Sequence, residues 1–175
     1  MAQNLNVGTK ILGSVEQTNN SIIEKYCFND DDANCAIYGG LYQWDEAMQY
    51  SITEGVQGIC PTGWHLPTDA EWTTLTTFLG GEAIAGGKMK ETGTTHWYSP
   101  NTGATNSSGF TALGTGEHNT AGFDGIMLFA YFWSSTQDNV NPGYAWSRTP
   151  YSAGKDVYRG PGNKGNSFSV RCLKN

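Results

Sequence analysis

Four cysteines, Cys27, Cys35, Cys60 and Cys172, constrain this chain more than any other feature. They form an even set with no C-x-x-C spacing, so a zinc site or a thioredoxin-like dithiol has little support and disulfides are expected. Three pairings are possible. The loop between Cys27 and Cys35 is short and rich in turn formers, so that pair closes easily and leaves Cys60 to bond Cys172. The second bridge would tie the middle of the chain to its last strand, a closure that contributes about 4–5 kcal/mol in the chain-entropy model. Such bonds imply an oxidising compartment and hence an extracellular or cell-surface setting.

The 175 residues, 38% of them hydrophobic, can bury one respectable core, so residues 1–175 read as one domain. Charged residues make up only 15%, while Gly, Asn, Ser and Thr are abundant, which describes a loop-rich globular protein with few long helices. A formal charge of −6 with scattered basic residues argues against nucleic acid, because phosphate binding needs a clustered Lys/Arg footprint. The longest apolar stretch, Ile126 to Trp133, is too short to cross a bilayer, so no membrane insertion by this segment is expected. Strand-like alternation is already under way at Met1, which leads us to expect a signal or anchor segment upstream of it.

Leu5, Val7, Ile11, Val15, Ile22 and Ile23 come in bursts separated by Gly8, Gly13 and Asn19-Asn20, a hairpin-like pattern of early strands. In the acidic run that follows, Asp30, Asp32 and Asn34 carry the first beats of a calcium loop. The glycine of the sharp turn and the closing glutamate are missing, so a solvated turn without a bound ion is the favoured reading. Trp44, Ala47 and Met48 recur at helical spacing opposite Gln43, Asp45, Glu46 and Gln49, predicting a first helix. Thr68-Asp69-Ala70-Glu71 is a capping box that opens a second, with Trp72, Leu75, Phe78 and Leu79 on one face and Gly80-Gly81 as its stop. From Gly80 to about Gly125 the chain reads as a long pinned loop. Short β-like bursts return at Ile126–Trp133, Tyr144–Arg148, Asp156–Arg159 and Ser167–Leu173. The predicted fold class is therefore α+β, with two helices, short antiparallel strands, long irregular loops and both chain ends in one sheet.

No catalytic constellation emerges. His65, His96 and His118 lack any ligand spacing such as H-E-x-x-H. His65, between Trp64 and Leu66, is expected to be buried and hydrogen-bonded, and the other two to be solvated in loops. Ser134-Ser135 has no G-x-S-x-G elbow, and no glycine-rich turn joins a strand to a helix as a phosphate cradle would require.

Three stretches are specific enough to name a family. Cys60-Pro61-Thr62-Gly63-Trp64-His65-Leu66-Pro67-Thr68-Asp69-Ala70-Glu71-Trp72, Phe132-Trp133-Ser134-Ser135-Thr136 and Phe168-Ser169-Val170-Arg171-Cys172 together resemble the Fibrobacter succinogenes major paralogous domain. Tyr38-Gly39-Gly40-Leu41-Tyr42-Gln43-Trp44 and Ser108-Gly109-Phe110-Thr111-Ala112-Leu113 extend the likeness over nearly the whole chain. The resemblance implies a C-type-lectin-like fold of the formylglycine-generating-enzyme type, whose hallmark is a helix start like Leu66 to Trp72. Related domains serve as the variable proteins of diversity-generating retroelements, which rewrite exposed residues on a fixed C-terminal scaffold. The enzymes of that fold hold copper with a C-terminal cysteine pair, and this chain has only Cys172 there, so a shared fold does not license their activity. The Glu-Pro-Asn and Trp-Asn-Asp motifs of calcium-dependent lectins are absent as well.

The leading expectation is thus a non-catalytic domain that presents a diversified ligand-binding segment, residues 131–172, to a protein or glycan on another cell or surface. On type and position, Trp146, Arg148, Tyr151, Tyr158 and Arg159 are the strongest contact candidates, since such side chains dominate binding hot spots. Gln137, Asp138, Asn139 and Asn141 would add polar contacts, as would Tyr144, Ser152, Asp156 and Asn163. Trp64, Trp72, Trp133, Phe168, Val170 and Cys172 are assigned to scaffold. The alternatives are a surface adhesin or polysaccharide-associated module without programmed variation, and an oxidoreductase like the formylglycine-generating enzymes.

Overall fold

A chain this rich in glycine and asparagine forms many short elements instead of a few long ones. The computed structural model describes residues 1 and 3–175 as a mixed α and β protein, with four α-helices and eleven strands among the described residues. The first strands, β1 (Thr9–Lys10) and β2 (Glu24–Lys25), pair in parallel, where a hairpin-like arrangement was expected. Helix α1 (Asp32–Tyr38) occupies the acidic run: Asp31 caps it by accepting from the Ala33 amide, so a stretch read as a solvated turn is the start of a helix.

Strand β3 (Tyr42–Gln43) runs straight into α2 (Trp44–Ala47), a single helical turn that buries Trp44, Ala47 and Met48. Glu46, expected on its polar side, is also buried, accepting from the Glu24 amide at 2.9 Å and the Tyr50 hydroxyl at 2.8 Å. After β4 (Trp64–His65) comes α3 (Asp69–Phe78) with its capping box intact. The Thr68 hydroxyl accepts from the Glu71 amide at 3.1 Å, and the Thr68 amide donates back to the Glu71 carboxylate at 2.8 Å.

Three elements, a helix and two strands, stand where a pinned loop was expected. Helix α4 (Glu82–Met89) contains Gly86-Gly87, which ordinarily disfavours a helix. Here both glycines are required by close approach, because a Cβ on Gly86 would overlap the Asp156 carbonyl and one on Gly87 the Gly103 carbonyl. Farther on, β5 (Thr115–Asn119) and β6 (Gly122–Ile126) form an antiparallel hairpin. The remaining strands are β7 (Phe132–Gln137), β8 (Tyr144–Pro150), β9 (Val157–Asn163), β10 (Ser167–Phe168) and β11 (Leu173–Lys174).

The larger sheets have the orders β3-β10-β5-β6 and β7-β8-β9, while β11 pairs with β4. The chain ends lie side by side, with the Met1 amino group donating to the Cys172 carbonyl and the Leu5 amide to the Val170 carbonyl, each at 2.9 Å. Their named strands nevertheless belong to separate two-stranded sheets, so the expectation of one common sheet is corrected.

Indole N–H groups fasten the core. Trp44 donates to the Ser134 carbonyl, Trp72 to Trp133, Trp133 to Tyr42 and Trp97 to Ala112, all at 2.8–3.2 Å, so each large apolar ring is buried without an orphaned donor. Trp72, Trp133, Phe168, Val170 and Cys172 are buried as scaffold, and Trp64 is half-buried. Both disulfides take the expected partners: Cys27 with Cys35, and Cys60 with Cys172 across 112 residues.

Candidate functional site

Strands β8 and β9 form the ribbon on which most of the expected contact residues lie. Their register places Arg148 opposite Arg159, Trp146 opposite Pro161 and Thr149 opposite Tyr158. Alternate residues of a strand point to opposite faces, so this register divides the candidates into two groups.

The face carrying Trp146, Arg148 and Arg159 packs toward α3. Like charges directly opposite each other repel, and this pair is held together by one carboxylate, Asp69. Arg148 reaches Asp69 Oδ1 at 2.6 Å and the Thr73 hydroxyl at 2.9 Å; Arg159 reaches Asp69 Oδ2 at 2.7 Å and lies 3.8 Å from the Trp146 ring centroid. Burial of Asp69 acts to raise its pKa, but the hydrogen bonds and charges of Arg159 and Arg148 outweigh it and hold the carboxyl below its ordinary value. Arg148 is completely buried, and its place in the contact set is corrected to scaffold: its guanidinium is an internal clamp on the start of α3. Ser152 is corrected likewise. It is buried, with its amide donating to the Leu128 carbonyl and its own carbonyl accepting from Thr102.

The opposite face is lined with small residues. Ala145, Ser147 and Thr149 of β8 stand across from Gly162, Gly160 and Tyr158 of β9. A Cβ on Gly162 would press into the rings of Phe168 and Trp133 at 2.6 and 2.9 Å, and one on Gly160 would overlap the Tyr158 ring. Gly162, with Ser147 and Thr149, lines a groove of about 590 Å³ walled by Phe129, Tyr131, Tyr144, Tyr151, Tyr158 and Phe168. The Phe168 ring stacks on Tyr131 at 4.8 Å and on Trp133 at 4.1 Å, fixing the floor.

Polar groups converge on the same groove. Glu117 accepts from Asn166 at 3.0 Å, and Asp156 accepts from the Tyr151 hydroxyl at 2.7 Å. Burial, followed by the negative charges of Glu117 and Asp124, pushes the Tyr131 hydroxyl up to about 12. Beneath the wall, the fully buried Lys90 donates to the carbonyls of Thr102, Tyr151 and Gly154 at 3.0, 2.8 and 2.7 Å, which pins the segment carrying Tyr151 and Asp156. Burial lowers the Lys90 ammonium to about 8, against the opposing charge of Asp156.

Five of the expected contact residues line one groove: Tyr151, Asp156 and Tyr158, joined by Tyr144 and Asn163, the facing pair at the end of the ribbon, which share the alternation of Trp146 and Arg148. The polar residues of the β7–β8 turn lie outside its lining. Asn139 and Asn141 are exposed there, Gln137 accepts from Lys164 at 2.6 Å, and the Asp138 carboxylate accepts from the Val140 amide at 2.9 Å. Sequence reasoning missed Glu117, Phe129, Tyr131 and Asn166, and it gave Phe168 to scaffold alone. Pairing of β10 with β5 brings Glu117 and Phe168 to the groove, a contact between segments about fifty residues apart that local pattern does not reveal.

The residues considered for other chemistry sit apart. The His65 ring bonds Asn175 at 2.7 Å and Glu71 at 3.0 Å, so it supports the α3 cap. His96 bonds Glu91 at 2.8 Å, and His118 is buried against Tyr26 and Phe123, which corrects the expectation that both are solvated. Asp30 accepts from the Gly13 amide, Asp32 pairs with Lys10 at 2.8 Å and Asn34 donates to the Phe28 carbonyl, three separate jobs that do not converge on a calcium position. Among the described residues no group of three or more His, Cys, Asp or Glu side chains is placed to hold a metal ion, no cysteine is free, and no helix is long and apolar enough to cross a membrane.

Comparison with curated proteins and with solved structures gives no match. A family model, however, spans almost every residue described above, from the paired chain ends through the capped helix to the closing strand. With residues 1–174 matched, the chain belongs to the family of the Fibrobacter succinogenes major domain.

Proposed function

We propose that this is a non-catalytic ligand-binding domain on a C-type-lectin-like frame, displayed outside the cytoplasm, and that its ligand sits in the β8–β9 groove. The observation that carries this reading is the asymmetry of the ribbon: one face is locked by Asp69 and two arginines, and the other offers an aromatic groove that includes Gly162. Rigid aromatic side chains with neighbouring amides and carboxylates give large contact area at low entropic cost, the chemistry of a binding surface. The two disulfides fit an oxidising compartment.

The finer form of this proposal is retroelement-driven diversification at exposed positions of the C-terminal segment. Asn139, Asn141, Tyr158 and Asn163 are exposed, which supports them as varying positions, whereas the buried Arg148 and Ser152 and the arginine-paired Asp69 are expected to stay fixed. Sequencing close relatives and the gene neighbourhood tests it. Substitutions concentrated at the exposed positions, beside a reverse transcriptase and a template repeat differing at adenines, are the expected result. Evenly spread substitutions with no such neighbour would leave an adhesin without programmed variation. Binding itself is tested by screening the intact domain and its Tyr158→Ala variant against arrays of surface proteins and glycans; hits that ignore the substitution would refute the groove.

A further inference from the structure

The lining of the groove is one-sided in charge. It includes two carboxylates, Glu117 and Asp156, but no Lys or Arg. Among the described residues neither carboxylate takes part in an ion pair: Glu117 accepts only from the amides of Asn119 and Asn166, and Asp156 only from the Tyr151 hydroxyl. Asp69 is the opposite case, with two arginines on one carboxylate.

Three nearby cations are committed elsewhere, and the exposed Lys155, next to Asp156 in the chain, lies against Gly103 outside the groove lining. Lys90 approaches from beneath but gives its protons to three carbonyls. Lys164 lies 3.9 Å over the Trp44 ring and bonds Gln137, and Arg159 is on the far face of the ribbon. The six rings of the groove add their own preference, since the faces of aromatic rings attract cations and do so more strongly where water is partly excluded. Tyr158, 61% exposed, stands at the mouth, where an incoming group would meet it first.

We propose that the groove receives a cationic side chain, a guanidinium or an ammonium, carried by a basic segment of a partner protein. This rests on the reading of the groove as the ligand site and names the chemistry of its ligand. A protein segment is the fitting occupant because about 590 Å³ is room for a ligand of several residues, well beyond what a lone ammonium fills. The carboxylates supply the charge, the rings cover the flat or methylene portions of the side chain, and Asn163 and Asn166 can bond the accompanying backbone. The net charge of −6 steers such a partner inward at low salt.

The test uses the whole domain and three probes followed by amide chemical shifts and titration: an acetylated Gly-Arg-Gly-Arg-Gly amide, the same peptide with citrulline for arginine, and the neutral tetrasaccharide cellotetraose. The arginine peptide is expected to shift groove resonances, and citrulline is expected to weaken binding about tenfold or more. Glu117→Gln and Asp156→Asn, which keep the shape but remove the charge and turn one acceptor oxygen into an amide donor, should each weaken the arginine peptide by about three- to tenfold, provided their spectra show the native fold.

Equal binding of the two peptides would overturn the proposal, as would arginine binding indifferent to both substitutions, because the peptide would then be held elsewhere on an acidic surface. Groove shifts with cellotetraose but none with the arginine peptide would overturn the cationic inference and leave the groove as a ligand site. Silence of the groove with all three probes would overturn the inference and count against the groove together.

Discussion

The two faces of the β8–β9 ribbon are made from alternate residues of the same strands, yet one is built to hold still and the other to be occupied. On the α3 side, large charged side chains fill the space and satisfy one another through Asp69. On the groove side the ribbon offers the smaller residues Ser147, Thr149 and Gly162, and aromatic rings stand around the space that is left. The contrast teaches that residue type alone does not mark a contact residue. Arg148 and Tyr158 are equally attractive as hot spots in sequence, and one is wholly buried while the other is 61% exposed.

The largest disturbance should come from removing the frame that both faces share. Replacing Cys60 and Cys172 together by Ala is expected to cost about 4–5 kcal/mol in denaturant unfolding, the loop-closure contribution of a bridge of this span. A loss below about 1 kcal/mol would mean that the rest of the fold positions β11 and β4 without it.

Next, Asp69→Ala should break the locked face only. It leaves the buried Arg148 without its counter-charge, for an expected loss of about 3 kcal/mol or more. The pH dependence has a definite sign. The carboxyl is held below its ordinary value of 3.8 in the folded state, so its contribution is complete above that value and is lost as pH falls through the lower folded one. The wild type should therefore lose more stability than the Asp69→Ala variant between about pH 4 and 2, and parallel acid profiles would refute this role.

A smaller effect, about 1 kcal/mol, is expected for Thr68→Ala, which removes one half of the capping box that sets Asp69 at the start of α3. Chemical denaturation of this variant and of Asp69→Ala, separately and combined, would reveal whether cap and clamp act together. The smallest changes sharpen the comparison from the other side: Asn163→Ala, which loses only the exposed bond accepted from the Gly165 amide, should cost no more than about 1 kcal/mol, and Tyr158→Ala, whose ring is mostly exposed, no more than about 0.5 kcal/mol. A substantial loss from either would move it from the binding face to the scaffold.

Much of the frame was legible because its signals are local or covalent. The Thr68–Glu71 box fixes a helix start within four residues, and the cysteine spacing limits the pairings to three. Where the sequence misled, a distant contact overrode the local preference. Gly86 and Gly87 argue against a helix until the Asp156 and Gly103 carbonyls are seen to lie where their Cβ atoms would be. The acidic run reads as solvated until Asp31 is found capping α1. In the site, strand-like bursts were anticipated near β8 and β9, but which set of alternate residues faces inward depends on Asp69, 79 positions before Arg148, and no periodicity announces that partner. Glu117 was invisible for the same reason, since β5 lies in a stretch whose glycines and threonines mimic a loop.

The bond between Cys60 and Cys172 also bears on mechanics. All residues lining the groove, from Glu117 to Phe168, fall inside the covalent ring that it closes. Tension entering from the N-terminal side and leaving from the C-terminal side would pass across that sulfur bridge and bypass the ring, because the enclosed stretch cannot lengthen while the bridge is intact. A domain pulled between its two ends would thus keep the groove shielded from that load.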